Sequence, residues 1–409
     1  MLNVPCLVDD PRSPREREAI VVKGNVIDDS NWHPGGTSSN RRSAPHHDDT
    51  APALPGQRAM TPRGEPLSVQ GLIITDAGRA EHRRFDLPFD PSGQVIVRVE
   101  LCGICTPEQR VFRGARATYP YWGGHELCGI VEAVPSGAPL PGVGSRVALG
   151  LMPRCGHCRA CRRGLDNHCA YLHPEPPGDG PPGPRGFSDR VIVAPNMLFP
   201  VGPDVPPEVA ALTEPVACVS RSVAMASPVA GETALVFGAG TMGLLHTALL
   251  TRAGCRVLVV SEDQRWLDQA SAAGAHATHG TGDSLDAIVR DHTEGWGCDM
   301  VFCTRGGTAA VAAAIRLSAR GGRIVLYQSL ASDKTLPIDI NDLHYREIRL
   351  IGTIAQSSDD LRRATELLRD QPELVRSLTT EIVAAGDGEN ALKRALAPDV
   401  NRVLIDFRT

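Results

Sequence analysis

The 409-residue sequence predicts an α/β protein with two domains, one rich in β-strands and one built on a doubly wound parallel sheet. From Thr233 onwards, apolar runs alternate with helical stretches, a pattern typical of parallel strands joined by crossover helices. The runs are TALVF, RVLVVS, DMVFCT and RIVLYQ, and the intervening helices include 242–253 and 308–319. Between Val69 and Val193 short strands and turns prevail, which indicates a separate β-rich domain.

Single elements can be predicted within this outline. The segment QVIVRVELCGIC alternates apolar and polar residues and predicts a half-buried strand whose inward side chains are Val95, Val97, Val99 and Leu101. The chain ends with a helix over 359–369 and a strand, RVLIDF. The proline- and glycine-rich stretch 174–186, PEPPGDGPPGPRG, predicts a loop.

The composition argues against several classes of protein. The net charge is −5 and both signs are mixed along the chain, which disfavours nucleic acid as a partner. No run of 18 apolar residues predicts a membrane span, and the N-terminus lacks the apolar stretch of a signal peptide, so we expect a cytoplasmic protein. Twelve cysteines in such a chain indicate metal ligands or reduced thiols rather than disulfides.

Residues 1–67 differ from the rest of the chain. They contain nine prolines, nine acidic and eight basic residues, and little apolar sequence that could form a core, which predicts a mostly disordered extension. One stretch around His33, VVKGNVIDDSNWHPGG, resembles the first haem-ligand strand and turn of cytochrome b5. A haem needs two ligands in a folded pocket, and His46 and His47 follow too closely. A chance match or a degenerate remnant is the favoured interpretation.

The strongest motif is a group of four cysteines, Cys155, Cys158, Cys161 and Cys169. Four thiolates at this spacing can surround one zinc ion tetrahedrally and leave no open position, which indicates a structural site. An iron–sulfur cluster is the minor alternative, and four reduced surface thiols are disfavoured because they would oxidise readily.

A second motif combines a cysteine pair, Cys102 and Cys105, with Gly124-His125-Glu126 twenty residues later. One cysteine, the histidine and the carboxylate can form an open zinc site that leaves a position for water or substrate. Taken alone the grouping is modest evidence, because a cysteine in an apolar strand is usually a core residue.

A third motif predicts a dinucleotide site. Gly238, Gly240 and Gly243 form GxGxxG directly after the strand TALVF, with Thr241 and Met242 opening the following helix. The first glycine permits the turn, the second the approach of a pyrophosphate, and the third close packing of helix on strand. The next strand ends at Glu262 and Asp263, where a carboxylate binds a ribose diol and repels a 2′-phosphate, so NAD is favoured over NADP.

Together these motifs resemble the zinc-containing medium-chain dehydrogenase/reductase family from Val69 to the C-terminus. The resemblance is carried, in the family's order, by CGICTPEQRVFRG, GGHELCGIVEAV, CGHCRACRRGLDNHC, LTEPVACVSRSV and VFGAGTMG. It implies a GroES-like, β-rich catalytic domain over 68–218 and 353–409, with a Rossmann NAD-binding domain over 219–352 between them.

The resemblance also implies the site residues and two zinc ions per chain. The catalytic zinc is expected at Cys105, His125, Glu126 and Glu214, the last from the EP pair of sorbitol- and threonine-dehydrogenase-like members, with Cys102 as a packed neighbour. The structural zinc is expected at the four cysteines. A homodimer or homotetramer is expected by analogy.

The implied activity is hydride transfer between a secondary alcohol and NAD, with zinc as a Lewis acid on the substrate oxygen. The stretch 343–353, LHYREIRLIGT, is similar to polyol- and cyclitol-oxidising members, including 2-deoxy-scyllo-inosamine dehydrogenases. A polyol, sugar alcohol or cyclitol is therefore the expected substrate.

One position departs from the family pattern. Members often carry Ser or Thr two residues after the ligand cysteine to relay the alcohol proton, and here that position is Pro107. Thr106, Glu108, or zinc-bound water with Glu126 are the alternatives. Two other functions stay open: a zinc-free enone or quinone reductase of the same superfamily, and a non-catalytic NAD-binding scaffold.

Overall fold

The computed structural model describes residues 65–116, 118–137, 141–171, 180–330 and 334–408. The predicted extension 1–67, with the segment around His33, lies outside these ranges except for its last three residues. The first part of the predicted loop 174–186 also lies outside them.

The β-rich part of the chain precedes the parallel sheet and is resumed after it. Its first elements are β1 (Leu67–Asp76), β2 (Arg79–Leu87), β3 (Val95–Gly103), α1 (Thr106–Phe112), β4 (Glu126–Ala133), β5 (Arg146–Leu149), α2 (Arg159–Arg162), β6 (Arg190–Val193), β7 (Leu198–Pro200), α3 (Pro207–Ala210) and α4 (Thr213–Ala226), with 3-10 turns at Asp166–His168 and Pro195–Met197.

The alternating part follows, and the chain then returns. The elements of the alternating part are β8 (Thr233–Phe237), α5 (Thr241–Arg252), β9 (Arg256–Ser261), α6 (Gln264–Ala272), β10 (Ala277–Gly280), α7 (Leu285–His292), β11 (Cys298–Cys303), α8 (Gly307–Leu317), β12 (Ser318–Leu326), α9 (Ile340–Arg346) and β13 (Arg349–Gly352). The returning elements are α10 (Ser358–Asp370), α11 (Glu373–Arg376), β14 (Thr379–Ala384), a 3-10 turn (Ala385–Asp387), α12 (Gly388–Arg394) and β15 (Arg402–Asp406).

The six strands β8 to β13 form a parallel sheet in the order β10-β9-β8-β11-β12-β13. From β8 the chain adds β9 and β10 toward one edge of the sheet, and from β11 it adds β12 and β13 toward the other edge. The direction in which strands are added therefore reverses between β8 and β11. In doubly wound sheets ligands bind in the crevice beyond the carboxyl ends of the strands at this reversal. The α/β fold class predicted from the sequence is confirmed, and the crevice lies at the glycine-rich motif.

The remaining strands belong to the β-rich part. A second sheet has the order β14-β15-β3-β4-β5-β7, with β6 also paired to β3, while β1 and β2 form an antiparallel pair. Because β14 and β15 come from the C-terminus, the parallel sheet is inserted between two segments of this part. The junction brings β15 beside the end of β3, where the cysteine pair lies.

The prediction that β3 is half-buried is wrong, because both faces of the strand are covered. Glu100 is only 6% exposed, and Cys102 is fully buried. The strand is central, pairing with β4 along one edge and with β6 and β15 along the other. Glu100 is tolerated there because its carboxylate forms a bidentate ion pair with Arg146, in which Nε of Arg146 lies 2.7 Å from Oε2 of Glu100.

Helix α4 joins the two halves of the molecule. It packs against α10 of the returning segment, against α5 of the parallel sheet, and against β4. Its apolar face, including Val216 and Val219, belongs to a core cluster that also contains Val236 and Leu361. The start of α4 is therefore fixed at the junction of both sheets. Among the described helices, none is sufficiently long and apolar to span a bilayer.

A buried histidine fastens α5 to α4. His246 is fully buried; its Nδ1 donates to the carbonyl of Met242 at 2.7 Å, and its Nε2 accepts from the Ser222 hydroxyl at 2.8 Å. Burial lowers the pKa of His246 to about 4, with the bond to Met242 offsetting only part of this effect.

This histidine should make stability depend on pH. The unfolded chain binds a proton at His246 near its ordinary pKa, whereas the folded chain does so only near pH 4, so stability is lost as pH falls through this interval. Between pH 6.5 and 5 the loss should be about 2 kcal/mol. The free energy of unfolding, measured by urea titration at pH 7 and pH 5, should fall less in His246→Gln than in the wild type. The same substitution at His344, an exposed residue, is the control; equal pH sensitivity of all three proteins would contradict the assignment.

Candidate active site and metal centres

The structure brings Cys105, His125 and Glu126 together at the end of adjacent antiparallel strands. Cys105 follows β3 as the residue that precedes α1, and Glu126 begins β4, where it lies opposite Gly103. The thiol, an imidazole nitrogen and a carboxylate oxygen of the three residues all lie within 4.8 Å of one another. This separation suits ligands of a single metal ion. Cys102 is not part of the group and packs in the core of the β-rich part.

Glycines make this close approach sterically feasible. Gly124 has a φ of +94°, in the left-handed region, and a Cβ there would lie 2.4 Å from the backbone nitrogen of Phe187. At Gly103 a Cβ would lie 2.5 Å from Oε2 of Glu126. A larger residue at either position would displace His125 or Glu126 from the cluster.

Glu108 holds the imidazole of His125. The carboxylate is fully buried; its Oε1 accepts from Nδ1 of His125 at 2.9 Å and from the backbone N–H of Gly124 at 3.0 Å. Burial alone would raise the pKa of Glu108, but His125 and the Gly124 N–H lower it overall. With Nδ1–H donated to Glu108, Nε2 is the ring nitrogen left to bind a metal.

The pKa values of His125 and Cys105 are also shifted by burial and by neighbouring charges. Burial would lower the pKa of His125, but the charges of Glu108 and Cys105 and their hydrogen bonds raise it well above its usual value. Burial and the charge of Glu126 raise the pKa of the Cys105 thiol to about 11. A metal ion bound between these groups would reverse both effects, because ligation favours thiolate and neutral imidazole.

Arg402 lies behind the cluster and comes from the C-terminal strand β15. Its guanidinium is buried, donates to the carbonyl of Ile104 at 2.8 Å, and lies 3.2 Å from Oε1 of Glu126. Burial would lower the pKa of Arg402, but the charge of Glu126 raises it. The residue thus supplies a fixed positive charge on one side of Glu126.

Glu214 faces the same pocket from the first turn of α4. It lies outside the group defined by the 4.8 Å separation, although its charge interacts with His125 and Glu126. Burial raises the pKa of Glu214, as does the charge of Glu126. Oε1 of Glu214 lies 3.3 Å from Sγ of Cys218, one turn further along α4.

The chemistry of the pocket fits a divalent cation. The groups that interact there, among the residues that the structure describes, include four potential anions, Glu108, Glu126, Glu214 and the thiol of Cys105, and two potential cations, His125 and Arg402. Among the described atoms, neither carboxylate oxygen of Glu126 has a hydrogen-bond partner of suitable geometry, and Oε2 of Glu108 has none. Buried oxygens of this kind are costly unless they are paired or ligated, which a bound metal would accomplish.

Pro107 and its neighbours bear on proton transfer. Pro107 occupies the first turn of α1, where its missing N–H is tolerated, and it offers no proton donor. Thr106 and Glu108 are the two side chains that the sequence offers as proton relays in its place. Glu108 already accepts from His125 and Gly124, whereas the Thr106 hydroxyl takes no part in those hydrogen bonds.

The four cysteines form a second group that could hold a metal ion, in the loop around α2. The Sγ atoms of Cys155, Cys158, Cys161 and Cys169 all lie within 4.8 Å of one another. Backbone N–H groups point at the sulfurs, with Cys158 N 3.2 Å from Sγ of Cys155 and Cys155 N 3.4 Å from Sγ of Cys169. The N–H groups of Cys161 and Ala170 lower the pKa of Cys158 to about 6. Four sulfurs with this support suit a closed tetrahedral site.

The glycine motif lies at the reversal of the parallel sheet. Gly238 follows β8 with a φ of +95°, and a Cβ there would lie 2.7 Å from Cβ of Arg305. A Cβ at Gly243 would lie 1.9 Å from the carbonyl oxygen of Gly238, so no side chain fits. At Gly240 no heavy atom lies within 4 Å of the Cβ position, which leaves space for a ligand at the start of α5.

Residues of this loop also touch the β-rich part. The Thr241 hydroxyl donates to the carbonyl of Asn401 at 3.1 Å, and Sδ of Met242 lies 3.9 Å from Nη2 of Arg402. The loop and the cysteine–histidine cluster are therefore joined through two consecutive residues, Asn401 and Arg402.

The two acidic residues after β9 have different environments. Asp263 caps α6 by accepting from the backbone N–H of Arg265 at 3.0 Å, and its carboxylate pairs with the Arg265 guanidinium at 2.6 Å. Glu262 follows the strand directly and is exposed. Glu262 is therefore the carboxylate better placed to meet a ribose, since Asp263 is committed to its helix.

Sequence reasoning overlooked three residues of these sites. Arg402 and Arg305 stand far along the chain from the motifs they contact, whereas Cys218 lies inside the stretch LTEPVACVSRSV, four residues after Glu214, and was not singled out there. A buried arginine in the strand RVLIDF could have been suspected, because a charge inside an apolar run needs a partner.

Comparison with known proteins places these observations in context. Residues 91–203 match the family model "Alcohol dehydrogenase GroES-like domain", and residues 241–370 match "Zinc-binding dehydrogenase". D-altritol 5-dehydrogenase of Agrobacterium fabrum is 29% identical over 320 residues, covering 76% of this chain and 91% of the relative. Sorbitol dehydrogenase of Bacillus subtilis is 25% identical over 343 residues, covering 81% and 94%. A zinc-binding dehydrogenase structure from Sinorhizobium meliloti 1021, bound to NADP, has a TM-score of 0.74 at 25% identity, covering 83% and 99%.

Glu108 should control the affinity of the first metal group. In Glu108→Gln the amide oxygen can still accept from Nδ1 of His125, but the negative charge that supports the imidazole is lost. Metal affinity should fall about 10- to 100-fold, as for other partners of ligand histidines. Competition with a chelator of known affinity measures this, and the four-cysteine site serves as the internal control because it should retain its metal. Unchanged affinity at both sites would show that Glu108 has no such role.

Proposed function

Because the chain belongs to the zinc-containing medium-chain dehydrogenases, we propose that it transfers a hydride between a secondary alcohol and NAD with the help of a zinc ion. The observation that carries the proposal is the pocket at the domain junction, where Cys105, His125 and Glu126 converge beside the nucleotide crevice. Relatives with similar sequences are named sorbitol and D-altritol dehydrogenases.

Cys105, His125 and Glu126 would hold the catalytic zinc, with Glu214 facing it from α4. The four cysteines would hold a second, structural zinc, for two ions per chain. The chemistry that zinc supplies when bound is Lewis acidity, which lowers the pKa of a nearby hydroxyl by several units. Both donor sets suit zinc, which prefers sulfur, imidazole and carboxylate ligands.

The surrounding residues prepare the pocket for this reaction. Glu108 fixes the tautomer of His125, and Arg402 keeps Glu126 in place from behind. Glu108, Glu126 and Arg402 are buried and His125 is half-buried, so bulk water is excluded from the inner wall, which strengthens electrostatic interactions there. Because Pro107 has no donor, the proton of the alcohol would leave through the Thr106 hydroxyl or through water beside Glu126.

The cofactor would occupy the crevice at the reversal of the parallel sheet. The open space at Gly240 would admit the pyrophosphate at the N-terminus of α5, and Arg305 beside Gly238 would add positive charge. Glu262 would bind the ribose diol. The NADP-bound Sinorhizobium structure shows that relatives can carry the phosphorylated cofactor, and the acidic pair after β9 is our reason for preferring NAD.

The proposed substrate class is a polyol, sugar alcohol or cyclitol, which the names of the relatives support. The stretch 343–353, which resembles cyclitol-oxidising members, forms the end of α9 and the edge strand β13. None of the pocket contacts described above involves it. The substrate proposal therefore depends on the relatives and not on this stretch.

The two alternative functions have less support. A zinc-free reductase would have no need of a cysteine, a histidine and a buried carboxylate within ligand distance of one another. A non-catalytic NAD-binding scaffold is favoured only by Pro107. Metal analysis distinguishes the first alternative, and turnover the second.

Zinc content and turnover test the proposal directly. We expect two zinc ions per wild-type chain, one in Cys105→Ser, and loss of turnover in that variant without unfolding. Cys158→Ser should instead lower the melting temperature sharply, because a structural zinc contributes folding free energy. Elemental analysis and calorimetry of the three proteins supply the measurements. A wild-type protein that is active without metal at Cys105 would refute the zinc mechanism.

Cofactor preference should depend on Glu262. Like charges near each other in a protein cost a few kcal/mol, so Glu262→Ala should raise the efficiency with NADP relative to NAD about 10-fold or more. Asp263→Ala should leave the preference unchanged but lower the melting temperature through the lost helix cap. Steady-state kinetics with both cofactors measures the ratio. If only Asp263→Ala weakens the preference for NAD, then Asp263 and not Glu262 is the ribose ligand. Equal catalytic efficiency of the wild type with NAD and NADP would refute the preference itself.

A further inference from the structure

A thiol lies beside Glu214 that the proposed mechanism leaves without a role. Cys218 follows Glu214 by one turn of α4, so the two side chains share a helix face, and Sγ lies 3.3 Å from Oε1 of the carboxylate. A carboxylate can only accept, so the thiol donates. The bond fixes one of the two carboxylate oxygens of Glu214.

Gln356 approaches the same thiol from another part of the chain. It is 1% exposed, it lies in the segment between β13 and α10, and its Oε1 is 3.5 Å from Sγ of Cys218. Cys218 therefore lies between a carboxylate oxygen and an amide oxygen but has a single S–H to donate. The charged acceptor forms the stronger bond, so the thiol donates its hydrogen bond to Glu214 while Gln356 limits the movement of the thiol.

The backbone around Gln356 is fastened by the segment that carries the four cysteines. Nη2 of Arg154 donates to the carbonyl of Gln356 at 2.7 Å, and Asp166 accepts from the backbone N–H of Ser358 at 3.0 Å. Asn167 donates to the carbonyl of Ile354 at 3.0 Å. Arg154 and Asp166 also pair with each other, at 3.3 Å. The segment that carries the four cysteines thus fixes the position of Gln356 beside Cys218.

We propose that Cys218 and Gln356 are positioning residues that set the orientation of the Glu214 carboxylate at the catalytic metal site. With Oε1 held by the thiol, Glu214 presents Oε2 to the pocket in a fixed plane. Displacements of about 1 Å at such a group change rates substantially, so the contact should matter for catalysis. This inference rests on the proposed function, because it assigns a role within the same site.

The competing explanation is that Cys218 is merely a small side chain that fills the core. Cys255 provides a matched comparison, because it is a buried cysteine on the parallel-sheet side whose thiol points at a backbone carbonyl, that of Val229. Replacing either cysteine by valine removes a thiol and changes packing similarly. Only the change at Cys218 should affect the pocket.

The test compares Cys218→Val, Cys218→Ser and Cys255→Val as full-length, metal-loaded proteins. Cys218→Val should lower kcat/KM for a polyol such as sorbitol about 10-fold, mainly through kcat, as expected for a lost hydrogen bond to a charged group. Cys218→Ser, whose hydroxyl can still donate, should stay within about 3-fold of the wild type. Cys255→Val should match the wild type in both kinetic constants, whatever it does to the melting temperature.

A second readout does not depend on turnover. With cobalt(II) in place of zinc at the catalytic site, Cys218→Val and Gln356→Leu should change the visible absorption of the metal, and the double variant should resemble either single one. Wild-type cobalt spectra in both variants, with activity losses that only follow the melting temperature, would overturn the proposal. A wild-type protein that lacks turnover or does not bind metal at Cys105 would instead contradict the proposed function itself.

Discussion

The pocket at the domain junction buries more negative charge than its two cationic side chains can balance. Glu108 and Glu126 are buried and Glu214 is partly buried around His125 and Arg402, with a cysteine thiol among them. Burying uncompensated carboxylates costs several kcal/mol each, and neutralising them by protonation would leave oxygens without partners. A divalent cation bound between these groups would pair directly with the carboxylate oxygens and with the thiolate of Cys105, so the arrangement of the pocket fits a bound metal.

Several separate segments meet this need. Cys105 follows β3, and His125 and Glu126 lie at the start of the adjacent strand β4. Glu214 lies on α4, which packs against both sheets, and Arg402 lies on the last strand, β15. Asn401 and Arg402 also touch the glycine loop of the nucleotide crevice. The proposed cofactor and metal sites would therefore share a wall, which is the geometry that hydride transfer between a bound alcohol and a nicotinamide requires.

Local patterns in the sequence were sufficient for the fold class and for the motifs, because closely spaced ligands and glycine turns are specified by short segments. The half-buried interpretation of β3 failed because burial depends on three partner strands, one of them from the C-terminus. The pairing of Glu108 with His125 spans 17 residues, and Arg402 reaches Ile104 across 298. Such contacts are set by tertiary packing, so alternation and spacing alone do not reveal them.

We propose that the junction pocket transfers a hydride from a secondary alcohol to NAD. The most direct measurement incubates the zinc-loaded protein with NAD and a panel of polyols and cyclitols that carry deuterium on the carbinol carbon, followed by mass spectrometry of the cofactor. Deuterium should appear in NADH with at least one substrate, and Cys105→Ser should abolish the transfer. Reduced cofactor without deuterium, or no reduction with any member of the panel, would contradict it.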